Sequence, residues 1–415
     1  MRPLEGISLR IERAAGVIAR KGRKEFVSED YRTSFLFYLA KKGVRKGFLK
    51  NLAQKLGVCF DEIDEFIEEG KRIPDLREEI GEFISYLANQ PSGHTTTPLR
   101  ATLWIANTCN LRCKHCGNSS GSPGENELTT RELRDIIQRL GELDVMKVSI
   151  TGGEPLLRED VYTILRHASK NIPYVFLTTN GWLCADKEVA RRVARYVHSV
   201  KISLDGMKFH DWLRGEGSFE RAVQSIRNFL EFGVGVKIQT TLMRQNIREI
   251  IPMIEFLARE VPEIYRVDIV PVSIIGRAKK EFAPPPELYR DFKNSLEKKH
   301  FPFNVRLVHT FCNSSCQALR TLCDISYDGT VYPCSFLRIP LGNVREEDIL
   351  DIWTSENANY VRKILSPEFL LTSCEYRYSC NGGCAANGVI MKTAHLCDRY
   401  CWRRWDYAGL TSKDI

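Results

Sequence analysis

From residue 99 to about 305 the chain repeats one pattern six times: a short β-branched, apolar run, then a stretch with helical apolar spacing. The runs are Arg100–Ile105, Lys147–Ile150, Tyr174–Thr178, Ser199–Leu204, Val236–Thr241 and Val267–Val272. A strand followed by a crossover helix delivers the chain back parallel to the strand before it, so six such units predict an α/β fold with a parallel sheet. The first helix carries its own start signal, a capping box with Thr129 three residues ahead of Glu132. In parallel sheets of this kind, ligands bind at the carboxyl ends of the strands. The motifs described below follow those ends.

At 415 residues the chain is long for one hydrophobic core, and the pattern divides it. Residues 1–90 read as a small, mostly helical module: a short hairpin over Ser8–Ala19, then helices at Tyr31–Lys42, Lys46–Leu56, Phe60–Glu69 and Leu76–Ala88. The polar stretch around residues 91–98 reads as a linker, 99–305 as the α/β core, and 306–415 as a third segment where the strand–helix rhythm stops. Residues 1–50 carry 13 Lys/Arg against 5 Asp/Glu, and residues 51–95 carry 4 against 10. The first of these segments suits an acidic partner, or is a solvated helix face. No long apolar run suggests a membrane span or a signal core, and a cytoplasmic location is expected.

The 14 cysteines are clustered: three within 109–116, four within 312–334 and five within 374–401, with Cys59 and Cys184 apart. In a cytosolic chain such clustering points to metal and not to a disulfide framework. After the first strand comes TCNLRCKHCGNSSG, with the spacing Cys109-x3-Cys113-x2-Cys116. Iron–sulfur electron carriers hold their clusters with four cysteines, so three on one loop leave one iron open to a small molecule. The competing reading is a zinc site lacking a ligand. Strand two ends in Thr151-Gly152-Gly153-Glu154-Pro155, strand three in Thr178-Thr179-Asn180-Gly181, and strand four in Ser203-Leu204-Asp205-Gly206. Two glycines allow the backbone close to a ligand, and the polar side chains can bind one; each end taken singly can also be a plain turn.

Taken together, residues 100–305 resemble the radical S-adenosylmethionine (SAM) superfamily. The resemblance implies a partial (β/α)6 TIM-like barrel and a [4Fe-4S] cluster on Cys109, Cys113 and Cys116, with SAM chelating the open iron. Reductive cleavage of SAM would then give a 5′-deoxyadenosyl radical that removes a hydrogen atom from substrate. Gly152, Gly153, Glu154 and Pro155 match the family motif that binds SAM's amino group, and Thr179, Asn180, Ser203 and Asp205 are placed to reach the ribose. Arg214, in HDWLRGEGSF, would pair with SAM's carboxylate, or is a surface arginine. His115 is read as packing on the cluster or adenine, and Cys184 as buried packing.

The third segment resembles the SPASM extension of radical SAM enzymes, on the strength of Gly329-x4-Cys334 and Cys374-x5-Cys380-x3-Cys384. That resemblance implies one or two auxiliary [4Fe-4S] clusters. Cys334 and Cys384 would share the first with two of Cys312, Cys316 and Cys323; Cys374, Cys380, Cys401 and Cys397 would serve the second. The sequence departs from the pattern at Leu371, where the family has a cysteine. Structural zinc is the competing reading. Either metal would hold this weakly cored segment folded.

Enzymes of this resemblance mostly modify peptides or proteins. The expected substrate is a precursor peptide or protein, and the expected electron source a low-potential donor such as ferredoxin or flavodoxin. LAQKLGV and LREEIGEFISYLANQ in the first module resemble the winged-helix elements that bind precursor leaders as an added strand. Oxidation or decarboxylation of a tetrapyrrole or other small molecule is the alternative. A metal-sensing DNA-binding regulator ranks behind both, and nucleic acid is not expected as a partner.

Overall fold

The structure, a computed structural model, describes residues 7–12, 16–21, 24–28, 31–62, 76–91, 93–308, 316–365, 384 and 386. The amino-terminal module pairs β1 (Ile7–Glu12), β2 (Gly16–Lys21) and β3 (Lys24–Ser28) into an antiparallel sheet in that order. The expected hairpin thus gains a third strand. Three helices follow, α1 (Tyr31–Lys41), α2 (Lys46–Leu56) and α3 (Leu76–Ala88), with a 3-10 turn at Phe60–Glu62. Their apolar residues recur at helical spacing and meet in one small core of Phe35, Leu36, Leu39, Leu49, Leu52 and Phe83. The remainder of the helix expected over Phe60–Glu69 lies outside the described residues.

This module is fastened to the rest of the chain. Arg10 of β1 is buried and its guanidinium donates to the carbonyls of Pro98 (3.2 Å), Thr97 (3.0 Å) and Asp144 (3.0 Å) and to Thr97 Oγ1 (2.8 Å). The stretch expected as a linker is itself packed. Thr95 is fully buried, its N–H donates to the Arg320 carbonyl, and its own carbonyl accepts from Trp353 Nε1 at 3.0 Å. A buried backbone needs such partners, so this strap runs as a fixed seam.

The six strand–helix units are β4 (Arg100–Trp104), α4 (Thr130–Glu142), β5 (Lys147–Thr151), α5 (Val161–Asn171), β6 (Tyr174–Thr179), α6 (Lys187–Ala194), β7 (Ser199–Ser203), α7 (Lys208–Arg214), α8 (Ser218–Glu231), β8 (Gly235–Leu242), α9 (Ile247–Glu260), β9 (Arg266–Pro271) and α10 (Pro286–Glu297), the fourth crossover holding two helices. The capping box forms at α4: Glu132 N–H donates to Thr129 Oγ1 at 3.3 Å, and Glu132 Oε2 accepts from Thr129 N–H at 2.7 Å.

Beyond residue 300 come β10 (Asn304–Leu307), β11 (Leu322–Ile325), β12 (Thr330–Tyr332), β13 (Gly342–Asn343), α11 (Ile349–Thr354) and α12 (Glu356–Ile364). Among the described residues one ten-stranded sheet runs β10-β9-β8-β7-β6-β5-β4-β11-β12-β13, parallel from β10 to β11 and antiparallel over its last two pairings. The carboxy-terminal segment therefore extends both edges of the sheet: β10 beside β9, and β11 beside β4 with Leu322 opposite Arg100.

Along β8 burial alternates strictly. Val236, Ile238, Thr240 and Leu242 are buried on the helix side, while Gly235, Lys237, Gln239 and Thr241 face the inside of the curved sheet. The helix-side residues join Ile137, Leu140, Ile164, Leu165, Ile226, Ile254 and Leu257 in the main core. Each such side chain contributes ~1.5–3 kcal/mol on burial. The inner face is polar and lines a cavity of ≈ 930 Å³.

Candidate active site at the strand ends

The backbone itself builds the loop that carries Cys109, Cys113 and Cys116. Leaving β4, the chain turns back so that Cys109 N–H donates to the Gly121 carbonyl (3.1 Å) and Gly121 N–H to the Asn107 carbonyl (3.1 Å). The end of β5 packs directly under this loop. Gly153 N–H donates to the Ala106 carbonyl at 2.7 Å and Glu154 N–H to the Thr108 carbonyl at 2.8 Å. A Cβ at Gly153 would lie 2.2 Å from the Thr108 carbonyl oxygen, so only glycine permits this approach.

Arginines clamp the loop from outside. Arg277 donates from Nε to the Cys113 carbonyl (2.9 Å) and from Nη1 to the Ser120 carbonyl (2.8 Å). Arg338, from the carboxy-terminal segment, donates to the Gly117 carbonyl at 2.8 Å. Neither arginine stands out in the sequence by motif, although Arg277 does follow a strand end, the position that singled out the other site residues.

Glu154 and Asp205 are fully buried carboxylates, and each ties strand ends together. Glu154 accepts from Thr179 Oγ1 (2.9 and 3.0 Å), Asn180 N–H (2.8 Å) and Leu156 N–H (3.3 Å). Burial still pushes its carboxyl up to about 7. Asp205 accepts from Thr241 N–H (2.6 Å) and pairs with Arg214 Nε (2.6 Å). Burial works to raise the Asp205 carboxyl, but the Arg214 charge holds it below the usual carboxylate range.

Arg214 is not a surface arginine; its side chain is 10% exposed. Its Nη1 lies 3.8 Å from Cys113 Sγ and its Nη2 3.4 Å from His115 Nε2. Asn180 reaches the same loop, donating to Asn110 Oδ1 at 2.9 Å and lying 3.9 Å from Cys109 Sγ. Burial pushes the His115 ring down to about 4, helped by Arg214, which keeps the imidazole neutral at ordinary pH. Cys184 is fully buried in the main core, as its reading as packing expects.

The cavity collects most of the expected residues. Cys109, Cys113, Cys116, Gly152, Gly153, Thr179, Asn180, Ser203 and Arg214 line it. Glu154, Pro155 and Asp205 do not; they stand behind the wall, the two carboxylates already taken up by protein donors. Cys316, Cys334 and Cys384 line the same cavity. Cys323 is separated from them: in β11 it points to the face opposite its neighbours Leu322 and Asp324, which line the cavity, and it is fully buried in the core. Cys312, Cys374, Cys380, Cys397 and Cys401 lie outside the described residues.

The donor chemistry of the first three cysteines fits a cluster. Cys109, Cys113 and Cys116 lie on one loop and line one cavity, and a cubane gives each thiolate its own iron. Burial pushes the Cys109 thiol up to about 11, so this dry loop needs strong positive charge to keep thiolates, which bound iron supplies. Among the described residues no helix is long and apolar enough to cross a membrane.

Comparison with known proteins agrees with this geometry. Residues 105–257 match the radical SAM superfamily, and residues 316–384 match the SPASM iron–sulfur cluster-binding domain. An AdoMet-dependent heme synthase of Methanosarcina barkeri is 30% identical over 329 residues, 71% of this chain and 93% of the relative. The mycofactocin maturase MftC of Mycobacterium tuberculosis is 29% identical over 311 residues, 70% of this chain and 78% of the relative. In fold, the chain matches Streptococcus suis SuiB bound to its precursor peptide SuiA, with a TM-score of 0.70 and 20% identity, covering 97% of this chain and all of SuiB. The chain therefore belongs to the radical SAM superfamily: an enzyme whose family cofactors are a [4Fe-4S] cluster and SAM, with a SPASM domain for auxiliary clusters.

Proposed function

We propose that this enzyme removes a hydrogen atom from a peptide or protein substrate, in the maturation of a ribosomally made precursor. One observation carries the reading. The heme synthase and MftC relatives each align with about 70% of this chain, whereas the fold of SuiB, a protein described bound to its precursor peptide, covers 97% of it. The amino-terminal sheet and helices are fastened to the barrel through Arg10 and the buried strap, which would tether a leader bound there to the barrel.

When bound, the cluster and SAM supply a 5′-deoxyadenosyl radical. The protein's own residues have defined tasks around it. Cys109, Cys113 and Cys116 hold the cluster. Gly152, Gly153, Thr179, Asn180 and Ser203 form the wall that receives SAM. Arg214, held by Asp205 and beside Cys113, would offer its remaining N–H groups to the SAM carboxylate. Cys316, Cys334 and Cys384, with Cys312, hold one auxiliary cluster, and Cys323 is left to packing. Cys374, Cys380, Cys397 and Cys401 serve the other. A low-potential ferredoxin or flavodoxin supplies the electron.

Tetrapyrrole oxidation is the second reading, favoured by the 30% identity to a heme synthase. Anaerobic turnover with peptides encoded beside the gene, and separately with coproporphyrin, decides between them. The peptide reading expects 5′-deoxyadenosine formation to rise on adding a peptide, with a matching mass change in that peptide. Conversion of the porphyrin with every peptide left unaltered would overturn it.

A further inference from the structure

The inner face of the barrel is cationic across β7, β8 and β9. Lys201 in β7 stands directly beside Lys237 in β8, and Lys237 beside Arg266 in β9. Three like charges side by side across neighbouring strands repel one another unless something offsets them. Asp268 does part of this. It pairs with Lys237, with Arg266 at 3.1 Å and with Arg306 at 3.0 Å. That single carboxylate is shared by three cations, and Lys201 is left over. Among the described residues Lys201 makes no hydrogen bond or ion pair within 4.0 Å, and it lines the cavity together with Lys237. The charges that bear on it are those of Asp268 and Asp324. Burial lowers the Lys201 ammonium and pushes that of Lys237 down to about 7, despite the neighbouring carboxylate.

A strand that buries one face and lines a barrel with the other usually fills the interior with branched apolar side chains. Here the inward positions are Lys201 and Ser203 on β7, Lys237, Gln239 and Thr241 on β8, and Asp268 and Val270 on β9, all but one of them polar. A lysine that faces a cavity of this size without a bonded partner is placed to take an entering anion. We propose that the part of the substrate entering the barrel carries a carboxylate, seated between Lys201 and Lys237. This rests on the peptide reading above, which makes the carboxylate that of an Asp or a Glu side chain. The seat lies on β7 and β8, at least three strands from β4, whose following loop bears Cys109, Cys113 and Cys116. A substrate anchored there would present the neighbouring part of its chain toward the SAM wall.

The test uses the anaerobically reconstituted holoenzyme with SAM, and two rhodamine-labelled peptides amidated at the carboxyl terminus, Gly-Glu-Glu-Gly and Gly-Gln-Gln-Gly, read by fluorescence anisotropy. The glutamyl peptide should bind about tenfold more tightly than its amide twin. That preference should shrink to within about twofold in Lys201→Met and in Lys237→Met, and survive in Lys201→Arg, where the cation is kept. Iron content and melting temperature of each variant establish that it is folded and loaded. Equal affinity for the two peptides in the unaltered enzyme overturns the proposal. So does a preference that persists in both Met variants, including the case where these variants shift only the midpoint potential of a cluster, which would assign the lysines to balancing cluster charge. Coproporphyrin III and its tetramethyl ester form the second arm. Lysine-dependent binding of the free acid, with no binding of the glutamyl peptide, keeps the carboxylate seat and overturns the peptide reading.

Discussion

The two cysteine sites that line one cavity are encoded in different ways. Cys109, Cys113 and Cys116 come from a single loop, whose own hydrogen bonds and the glycines packed beneath it set its shape. Cys316 and Cys334 flank the β11–β12 hairpin, which pairs with β4, and Cys384 follows later in the chain; all three line the cavity. The first site is local, its three cysteines lying within residues 109–116. The second is topological and exists only once the sheet has formed. A local site is readable from spacing; a topological one needs the strand order.

The contrast predicts different failures. The largest effect is expected at Gly153. In Gly153→Ala the new Cβ would meet backbone oxygens of Thr108 and Asn107 at 2.2 and 2.5 Å, and neither is the flexible end of a side chain. The β5 end must lift from the cysteine loop, at a cost of ~3 kcal/mol or more. Loss of the first cluster's electron paramagnetic resonance signal with the carboxy-terminal iron retained is the expected outcome. An unchanged signal would mean that the loop does not depend on this packing.

Next in size is the buried pair behind Cys113. Arg214→Met leaves Asp205 charged and unpaired where it is fully buried, which should cost ~3–5 kcal/mol in chemical denaturation. The double variant Arg214→Met/Asp205→Asn should recover much of that loss, because the uncompensated charge is gone, yet its SAM affinity should stay low. Recovery of both stability and SAM binding would reduce Arg214 to a structural partner of Asp205.

The second site gives the smallest effect and the sharpest contrast. Cys334→Ala should remove about four irons, one cubane's worth, whereas Cys323→Ala should remove none and cost only ~1 kcal/mol of packing. Equal iron loss in the two variants would return Cys323 to the ligand set.

How much of this was legible follows the same division. The alternation that predicts β4 to β9 is strong because each strand buries one face under a helix, so periodicity and position agree. β11 is four residues long and pairs with a strand more than two hundred residues earlier, so nothing local announces it. The cysteine spacing and the polar strand ends pointed to the right region, with Gly152, Thr179, Asn180 and Ser203 on the cavity wall. They did not reveal that Glu154 and Asp205 stand behind the cavity wall, because burial and partners are set by neighbouring strands. Arg277 and Arg338 carried no motif. Lys201 and Lys237 were visible as charged residues alternating with apolar ones, a pattern that ordinarily marks a solvated sheet face. Only the curvature of the sheet turns that face into a cavity.

The central claim is that the loop after β4 holds the cluster that cleaves SAM. Its direct test is 5′-deoxyadenosine production by the reduced, reconstituted enzyme and by the Cys109→Ala/Cys113→Ala/Cys116→Ala variant. The unaltered enzyme should form 5′-deoxyadenosine and methionine, and the variant should form neither while keeping its carboxy-terminal iron. Continued 5′-deoxyadenosine formation by the triple variant would contradict the account.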